Sequence, residues 1–317
     1  MSPKINIVFM GTPEFAVPSL LKLNTCHNII RVYTQPPKPY GRGLKEKISS
    51  IHKVAIEKKI PVKFPKTFNT DDEYLELLKL KPDFIIVVAY GVILPKKIIQ
   101  IPKYLSINGH ASSLPRWRGA APIQRAIEAG DKQTAVEAMI MEETLDTGAI
   151  ISSKKVRISN KDTSKTLYDK LSDYMPFVLL NGIQLIINNK AKPIEQKKEG
   201  ITYARKILPN EKLLNWNDEF TTIERKIRAF TPWPGIWVKH KNNLLRIHSI
   251  SKIKITNDLS SFKPGQIITF SKNNCPIVLT MDNITFEIKK IQKQGGMKMS
   301  SSDFIRGYNL SIGDILN

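Results

Sequence analysis

Residues 106–122 have the sequence Ser-Ile-Asn-Gly-His-Ala-Ser-Ser-Leu-Pro-Arg-Trp-Arg-Gly-Ala-Ala-Pro. The apolar start predicts the end of a β-strand, and in extended backbone residues i and i+2 lie on the same face. Asn108 and His110 can therefore converge on one point, and Gly109 adds no bulk to the opposite face. A turn ending at Pro115 and a helix with Pro122 in its first turn are predicted to follow.

An amide and an imidazole at one point suit acyl transfer to a nucleophile that the substrate supplies. Preorganised donors at the oxyanion are typically worth ~3–4 kcal/mol each, and a histidine can pass a proton at neutral pH. The third member would be a carboxylate, and Asp146 is the candidate because it lies in the turn-like sequence Glu-Thr-Leu-Asp-Thr-Gly. Taken alone, these residues also allow a buried structural histidine and an ordinary turn aspartate.

The surrounding pattern predicts an α/β domain with a Rossmann-like, mostly parallel sheet. The apolar runs at 5–10, 28–34 and 83–89 are typical of buried parallel strands. Helices are predicted at 50–58, 71–80, 122–129 and 163–188, the last broken near Pro176. Strands at 134–141 and 149–156 would flank the turn of Asp146 and aim it back toward His110. The dinucleotide fingerprint Gly-x-Gly-x-x-Gly is absent, so NAD is not inferred.

A second domain is predicted after a polar, charged stretch at 190–206, which has the composition of an interdomain linker. Beyond it, a short helix at 221–230 precedes short β-like segments near 244–250, 265–270, 277–280 and 284–288. Short strands with polar turns between them suggest a small, OB-like β-barrel. We therefore predict a catalytic domain at 1–189, a linker at 190–206 and an OB-like domain at 207–317.

Length and charge fit this division and suggest a partner. A chain of 317 residues favours two domains, and a net charge of +21 favours a polyanionic partner, with nucleic acid as the first choice. Compositional bias would explain the charge equally simply. No apolar run reaches the ~18 residues of a transmembrane helix, and the start resembles a strand more than a signal peptide, so we expect a cytoplasmic protein. Neither a disulfide framework nor a metal site is indicated by Cys26 and Cys275.

The segment 35–47 contains three prolines and two glycines, so it is predicted to be a loop with little regular structure. It carries four basic residues, Lys38, Arg42, Lys45 and Lys47. A basic loop with glycine hinges could fold against a phosphate backbone. It could equally be a solvated loop.

Three pieces of sequence resemble the signature of the 10-formyltetrahydrofolate-dependent formyltransferases: Asn108-Gly-His110, Ser-Ser-Leu-Pro at 112–115, and Asp146-Thr-Gly. The run Pro-Arg-Trp-Arg-Gly-Ala-Ala-Pro-Ile-Gln-Arg at 115–125 is similar to the members that act on methionyl-tRNA, and the likeness spans about 5–307. It implies transfer of a formyl group from 10-formyltetrahydrofolate to the α-amino group of initiator methionyl-tRNA. Asn108 would hold the formyl oxygen, His110 would stabilise the oxyanion and relay a proton, and Asp146 would tune His110 and assist deprotonation of the amine.

The resemblance implies further site residues. The folate site would be lined by Ser112, Ser113, Leu114 and Pro115, and the backbone at 89–91 would receive the pterin ring. The basic loop would enter the acceptor stem of the tRNA through Arg42 and Lys45. No metal is implied, and we expect a monomer.

Three positions depart from the family pattern. The family usually has a branched aliphatic residue at Gly109, a leucine at Ser113 and an aspartate at Ala149. A glycine there would loosen the strand that aligns Asn108 and His110, because glycine has more backbone freedom to lose. We therefore expect an active but slower enzyme.

Three rival functions stay open. One is a formyltransferase on the same catalytic domain that acts on an amino sugar nucleotide or on glycinamide ribonucleotide. Another is a non-catalytic RNA-binding relative, and the third is a formyltetrahydrofolate hydrolase. The Arg-Trp-Arg string and the basic second domain argue against the first, and the intact Asn108, His110 and Asp146 argue against the second. The third would need neither the basic loop nor the second domain.

Overall fold

The structure is a computed structural model that describes residues 4–40, 45–256 and 258–317. Contacts divide the chain into two compact units. The first comprises Met1–Pro122, Gln133–Arg157 and Tyr168–Arg205, and the second comprises Ile123–Lys132, Ile158–Leu167 and Lys206–Asn317. The stretch 190–205 thus belongs to the first unit. The boundaries inferred from composition, 1–189, 190–206 and 207–317, stay predictions.

The helices of the chain are α1 (Val17–Cys26), α2 (Ser50–Glu57), α3 (Asp71–Leu80), α4 (Lys96–Ile99), α5 (Pro122–Ala129), α6 (Ser164–Ile187), α7 (Phe220–Ala229) and α8 (Ser301–Gly307). Short 3-10 turns occur at Glu14–Ala16 and Pro209–Lys212. Within the described ranges, none of the helices combines the length and the apolar character needed to cross a bilayer.

The strands of the first unit are β1 (Asn6–Gly11), β2 (Asn28–Tyr33), β3 (Lys38–Tyr40), β4 (Lys45–Lys47), β5 (Val62–Lys63), β6 (Phe84–Val88), β7 (Leu105–His110), β8 (Arg118–Gly119), β9 (Gln133–Ile140), β10 (Ile150–Arg157) and β11 (Tyr203–Ala204). Seven of them form one sheet in the order β10-β9-β7-β6-β1-β2-β5. The five from β7 to β5 run parallel, whereas β9 is antiparallel to β7 and β10 is antiparallel to β9. All five residues of β6 are buried, as expected for a central strand covered on both faces.

The second unit is built on an antiparallel sheet. Its strands are β12 (Ile236–His240), β13 (Asn243–Ile253), β14 (Ile267–Phe270), β15 (Pro276–Leu279), β16 (Thr285–Lys293) and β17 (Met299–Ser300). They follow the order β12-β13-β16-β15-β14, and β17 pairs with β16.

The end of the chain joins the two edges of this sheet. The carbonyl of Asp314 accepts from the backbone N–H of Ile267 at the start of β14, and the N–H of Asn317 donates to the carbonyl of Lys239 in β12. Such closure removes the exposed edges of a sheet. The predicted fold class, a Rossmann-like α/β sheet domain followed by a small OB-like β-barrel domain, is confirmed.

Two local predictions were wrong. The segment 35–47 is not without regular structure, because β3 and β4 pair antiparallel, with Lys38 opposite Lys47 and Pro39 opposite Glu46. In a two-stranded ribbon, the backbone positions that face outward need no N–H for pairing, so a proline is tolerated there.

The helix α6 is also continuous where a break was predicted near Pro176. A proline there removes one backbone hydrogen bond. The fully buried Met175, Leu179 and Ile183 hold the helix against the sheet regardless, because packing of an apolar face supplies most helical stability in proteins.

Candidate active site

The strand β7 places Asn108 and His110 at the carboxyl end of a central strand, which is where open α/β sheets bind ligands. The strand is paired on both sides, with Gly109 opposite Val88 of β6 and Ala138 of β9. A Cβ on Gly109 would lie 2.7 Å from the sulfur of Met175, so a side chain from α6 already fills the space that a branched residue would need. At Gly109 the strand is regular and closely packed.

Asp146 lies over this strand in the turn between β9 and β10. Its φ of 55° is left-handed, a conformation that aspartate tolerates better than most residues. Its carboxylate is buried and accepts from Asn108 Nδ2 at 3.1 Å and from the backbone N–H of Gly119 at 2.8 Å. The turn also requires Gly148, since a Cβ there would lie 1.9 Å from the carbonyl oxygen of Ile140.

His110 is 6% exposed and lies between two oxygen atoms. Its Nε2 is 3.0 Å from the carbonyl oxygen of Trp117, and its Nδ1 is 3.6 Å from Oδ2 of Asp146. A carbonyl can only accept, so the hydrogen-bond network assigns the proton to Nε2. In that tautomer the lone pair is on Nδ1, which faces the carboxylate of Asp146. The structure thus brings all three predicted catalytic residues together.

The predicted folate-lining residues form the turn that follows β7. The hydroxyl of the fully buried Ser112 donates to the carbonyl of Arg116 at 2.6 Å, so it is used inside the turn. The carbonyl of Ser113 accepts from the N–H of Arg116 at 3.0 Å. Leu114 is buried, whereas Ser113 and Pro115 are partly exposed beside it.

The turn predicted to receive a pterin ring has left-handed backbone at two positions, Ala89 with φ 49° and Gly91 with φ 78°. The carbonyl of Tyr90 between them accepts from Thr12 Oγ1 at 2.9 Å and from Gln35 Nε2 at 3.1 Å. These contacts join the ends of β1, β2 and β6. The predicted tRNA contact Arg42 lies outside the described residues, as does the side chain of Lys45.

The sequence reasoning missed Glu137, which lies directly opposite His110 in β9. Its carboxylate accepts from the N–H of Leu114 at 2.9 Å and from the hydroxyl of Ser153 at 2.9 Å. Burial raises the pKa of Glu137 to about 7, and these two hydrogen bonds oppose the rise. An acidic residue inside the apolar run Thr-Ala-Val-Glu-Ala-Met-Ile was the available signal, because a carboxyl group is costly to bury.

The sequence reasoning also missed Gln196, which composition had assigned to a linker. Its Nε2 donates to the carbonyls of Asp146 and Gly148, both at 2.9 Å. Its Oε1 accepts from the guanidinium of the buried Arg118 at 2.7 and 3.1 Å. No local signal singled it out among the polar residues of 190–206.

Comparison with known proteins matched two family descriptions to this chain. The formyl transferase family matches residues 4–183, and the formyl transferase C-terminal domain matches residues 206–309. A methionyl-tRNA formyltransferase of Pseudoalteromonas translucida is 39% identical over 311 residues, covering 97% of this chain and 95% of that protein. One from Legionella pneumophila is 41% identical over 302 residues, covering 95% of each.

A solved structure shares the fold at low sequence identity. It is the N-formyltransferase of Helicobacter canadensis in complex with folinic acid and dTDP-3-aminofucose, with a TM-score of 0.64 and 20% identity over 90% of this chain and 98% of that chain. At that identity the likeness concerns the fold alone. The match to the family and the full-length relatives decide the assignment, and this chain belongs to the formyl transferase family.

Proposed function

We propose that this protein transfers a formyl group from 10-formyltetrahydrofolate to the α-amino group of methionyl-tRNA, forming the initiator formyl-methionyl-tRNA. The observation that carries the proposal is the convergence of Asn108, His110 and Asp146, in a chain about 40% identical to methionyl-tRNA formyltransferases over almost its whole length. The excess of positive charge suits an RNA substrate.

The donor set fits a formyl group. Asn108 Nδ2 has two N–H bonds, of which one meets Asp146; within the described residues the other has no protein partner. That second N–H can donate to the formyl oxygen, where charge develops as the amine attacks. Asn108 and the turn at 112–115 would hold the folate donor, which supplies the one-carbon group. No metal ligand set is needed for this reaction.

Proton transfer is assigned to His110. The methionyl amine is the nucleophile, so no covalent enzyme intermediate is required. As the amine attacks, its nitrogen loses a proton, and the lone pair on Nδ1 of His110 can accept it directly or through a water molecule. The carboxylate of Asp146, 3.6 Å away, stabilises the resulting imidazolium. Relay of that proton toward the departing folate nitrogen completes the turnover.

The proposal extends to the partners and the location of the protein. All three catalytic residues come from one chain, so we expect the enzyme to act as a monomer. Translation initiation places its work in the cytoplasm. Light scattering of the purified protein at micromolar concentration tests the oligomeric state.

The test combines purified protein, 10-formyltetrahydrofolate and methionyl-tRNA, and measures formyl-methionyl-tRNA. We expect the wild-type protein to form it and His110→Ala to lose at least about 10²-fold in rate, the usual contribution of general acid–base catalysis. Glu199→Gln, an exposed change, is the matched control. A wild-type protein that binds the tRNA without formylating it contradicts the proposal and favours the RNA-binding alternative. One that instead formylates an amino sugar nucleotide shows that the substrate class is wrong.

A further inference from the structure

We propose that Gln196 is a positioning residue for Asp146, held in its working orientation by Arg118. The inference rests on the proposed function, because Asp146 matters to the chemistry only if the site transfers a formyl group. It assigns a role in catalysis to a segment that lies about 50 residues beyond the catalytic turn.

Every hydrogen-bonding group of the Gln196 amide is engaged. The two N–H bonds of Nε2 donate to the carbonyls of Asp146 and Gly148, and Oε1 accepts twice from Arg118. An amide has two such donors and one such acceptor oxygen. A flipped amide would set its oxygen against two carbonyls and its nitrogen against the guanidinium, so this arrangement has one satisfied orientation.

The first part of the turn that carries Asp146 is exposed, and the side-chain hydrogen bonds within the turn run from Thr147 to Glu142 and Thr144. Thr144 and Leu145 are exposed, and Leu145 is 63% exposed despite being apolar. The buried residues of the turn are Asp146, Gly148 and Ala149, and the carbonyls of the first two bond to Gln196. Gln196 therefore fixes the backbone at the catalytic residue and two residues after it.

Arg118 fixes the orientation of the Gln196 amide. It is 7% exposed, and within the described part of the chain its guanidinium donates hydrogen bonds to this one amide oxygen. The next residue, Gly119, donates its backbone N–H to Oδ2 of Asp146. These two residues form the strand β8. Gly119 therefore holds the carboxylate of Asp146 directly, and Arg118 holds the backbone of Asp146 indirectly, through Gln196.

The segment after α6 pairs with two strands that lie next to the Asp146 turn. Ile194 pairs with Ile150 at the start of β10, and β11 pairs with β8. The hydroxyl of Thr202 accepts from the N–H of Trp117, whose carbonyl faces His110. Gln196 thus enters the site from a segment anchored at two points, which suits precise positioning better than a free loop does.

The central experiment replaces Gln196 with Glu. A glutamate keeps an oxygen for Arg118 and gains an ion pair with it, but it has no N–H for the two carbonyls. Since misplacing a catalytic group by about 1 Å can cost ~10²-fold in rate, we expect kcat per folded molecule to fall about 10- to 100-fold. The KM values for 10-formyltetrahydrofolate and methionyl-tRNA should stay within about twofold of the wild-type values.

Two further readouts separate positioning from general instability. Gln196→Met has nearly the same shape but no donor, so it should lose kcat as Gln196→Glu does. A misplaced carboxylate changes the shape of the pH profile of kcat, whereas a loss of folded protein scales the whole profile by one factor. The matched control is Glu195→Gln, an exposed change one residue away, which should keep the wild-type kcat.

The outcomes are distinct. Wild-type kcat in both Gln196 variants overturns the inference, as does a loss that follows the folded fraction and leaves the profile unchanged. If both variants fail to fold, Arg118→Lys decides: it keeps the charge but loses the two-pronged contact, so we expect a several-fold loss of kcat and an altered profile, and an unchanged profile overturns the inference. A wild-type protein that does not formylate methionyl-tRNA contradicts the proposed function instead.

Discussion

Two segments lie beside His110 in the candidate site, and they are held by different chemical groups. The turn that carries Asp146 is held by the amide of Gln196, which the guanidinium of Arg118 orients. The turn at 112–115 is held by the buried carboxylate of Glu137, whose pKa is raised to about 7. The first contact is made by an amide, which has no titratable group, whereas the second is made by a carboxyl group whose pKa is about 7.

The largest expected effect is a loss of kcat on substitution of Asp146, the residue that the first segment carries. Asp146→Asn keeps a residue that tolerates the left-handed backbone and one oxygen for the N–H of Gly119. Its NH₂ group, however, faces the Asn108 Nδ2 donor, and the neutral amide lacks the negative charge that would stabilise a protonated His110. We expect kcat to fall about 10²–10³-fold, as when one preorganised electrostatic group is lost, with little change in the melting temperature.

Formylation kinetics and thermal unfolding of this variant, measured side by side, check the prediction. Glu143→Gln removes an exposed carboxylate from the same turn and should behave like the wild-type protein. A kcat of Asp146→Asn within threefold of the wild-type value would show that the carboxylate is not required.

The next effect concerns the stability of the second segment. The folded pKa of Glu137 is about 7 and its ordinary value is 4.5, so between these values the folded protein binds a proton that the unfolded chain has released. The contribution of Glu137 to stability is therefore greatest below pH ~4.5, falls as the pH rises through this window and levels off above pH ~7. The difference in pKa corresponds to about 3 kcal/mol.

Glu137→Gln should remove this dependence and keep the hydrogen bonds, because its amide can accept from Leu114 and donate to Ser153. Urea unfolding of both proteins at pH 5 and pH 8 measures the change. We expect the stability of the wild-type protein relative to the variant to drop by about 2.5 kcal/mol between these values, because pH 5 already lies inside the window. A difference that is the same at both pH values would mean that Glu137 does not titrate in this range.

The smallest effect concerns the strand between the two segments. Gly109→Val places a side chain where Met175 now lies, and overpacking of this kind typically costs about 1–3 kcal/mol. The double variant Gly109→Val with Met175→Ala should recover part of that loss, because the space is shared. Melting temperatures of the two single variants and the double variant test this coupling, and additive losses would contradict it.

Sequence alone went far in predicting the fold and the catalytic candidates. The apolar runs gave the central strands, with β6 within one residue at each end of the predicted 83–89, because burial on both faces of a parallel sheet demands continuous apolar residues. Asn108 and His110 are two residues apart, so the two-residue period of a strand predicts that their side chains lie on the same face. Their predicted chemical roles came from resemblance, and the roles stay predictions.

The tertiary structure decided which distant residues support the site. Glu137 contacts a turn 23 residues earlier in the chain, and Gln196 contacts a turn 50 residues earlier. Local sequence determines periodicity and turn preference, whereas the partner of a buried polar group depends on which strands become neighbours. The placement of β9 beside β7, and the return of the chain after α6 to pair with β8, are long-range pairings that no local pattern encodes, so the groups that hold the site emerge only in the folded protein.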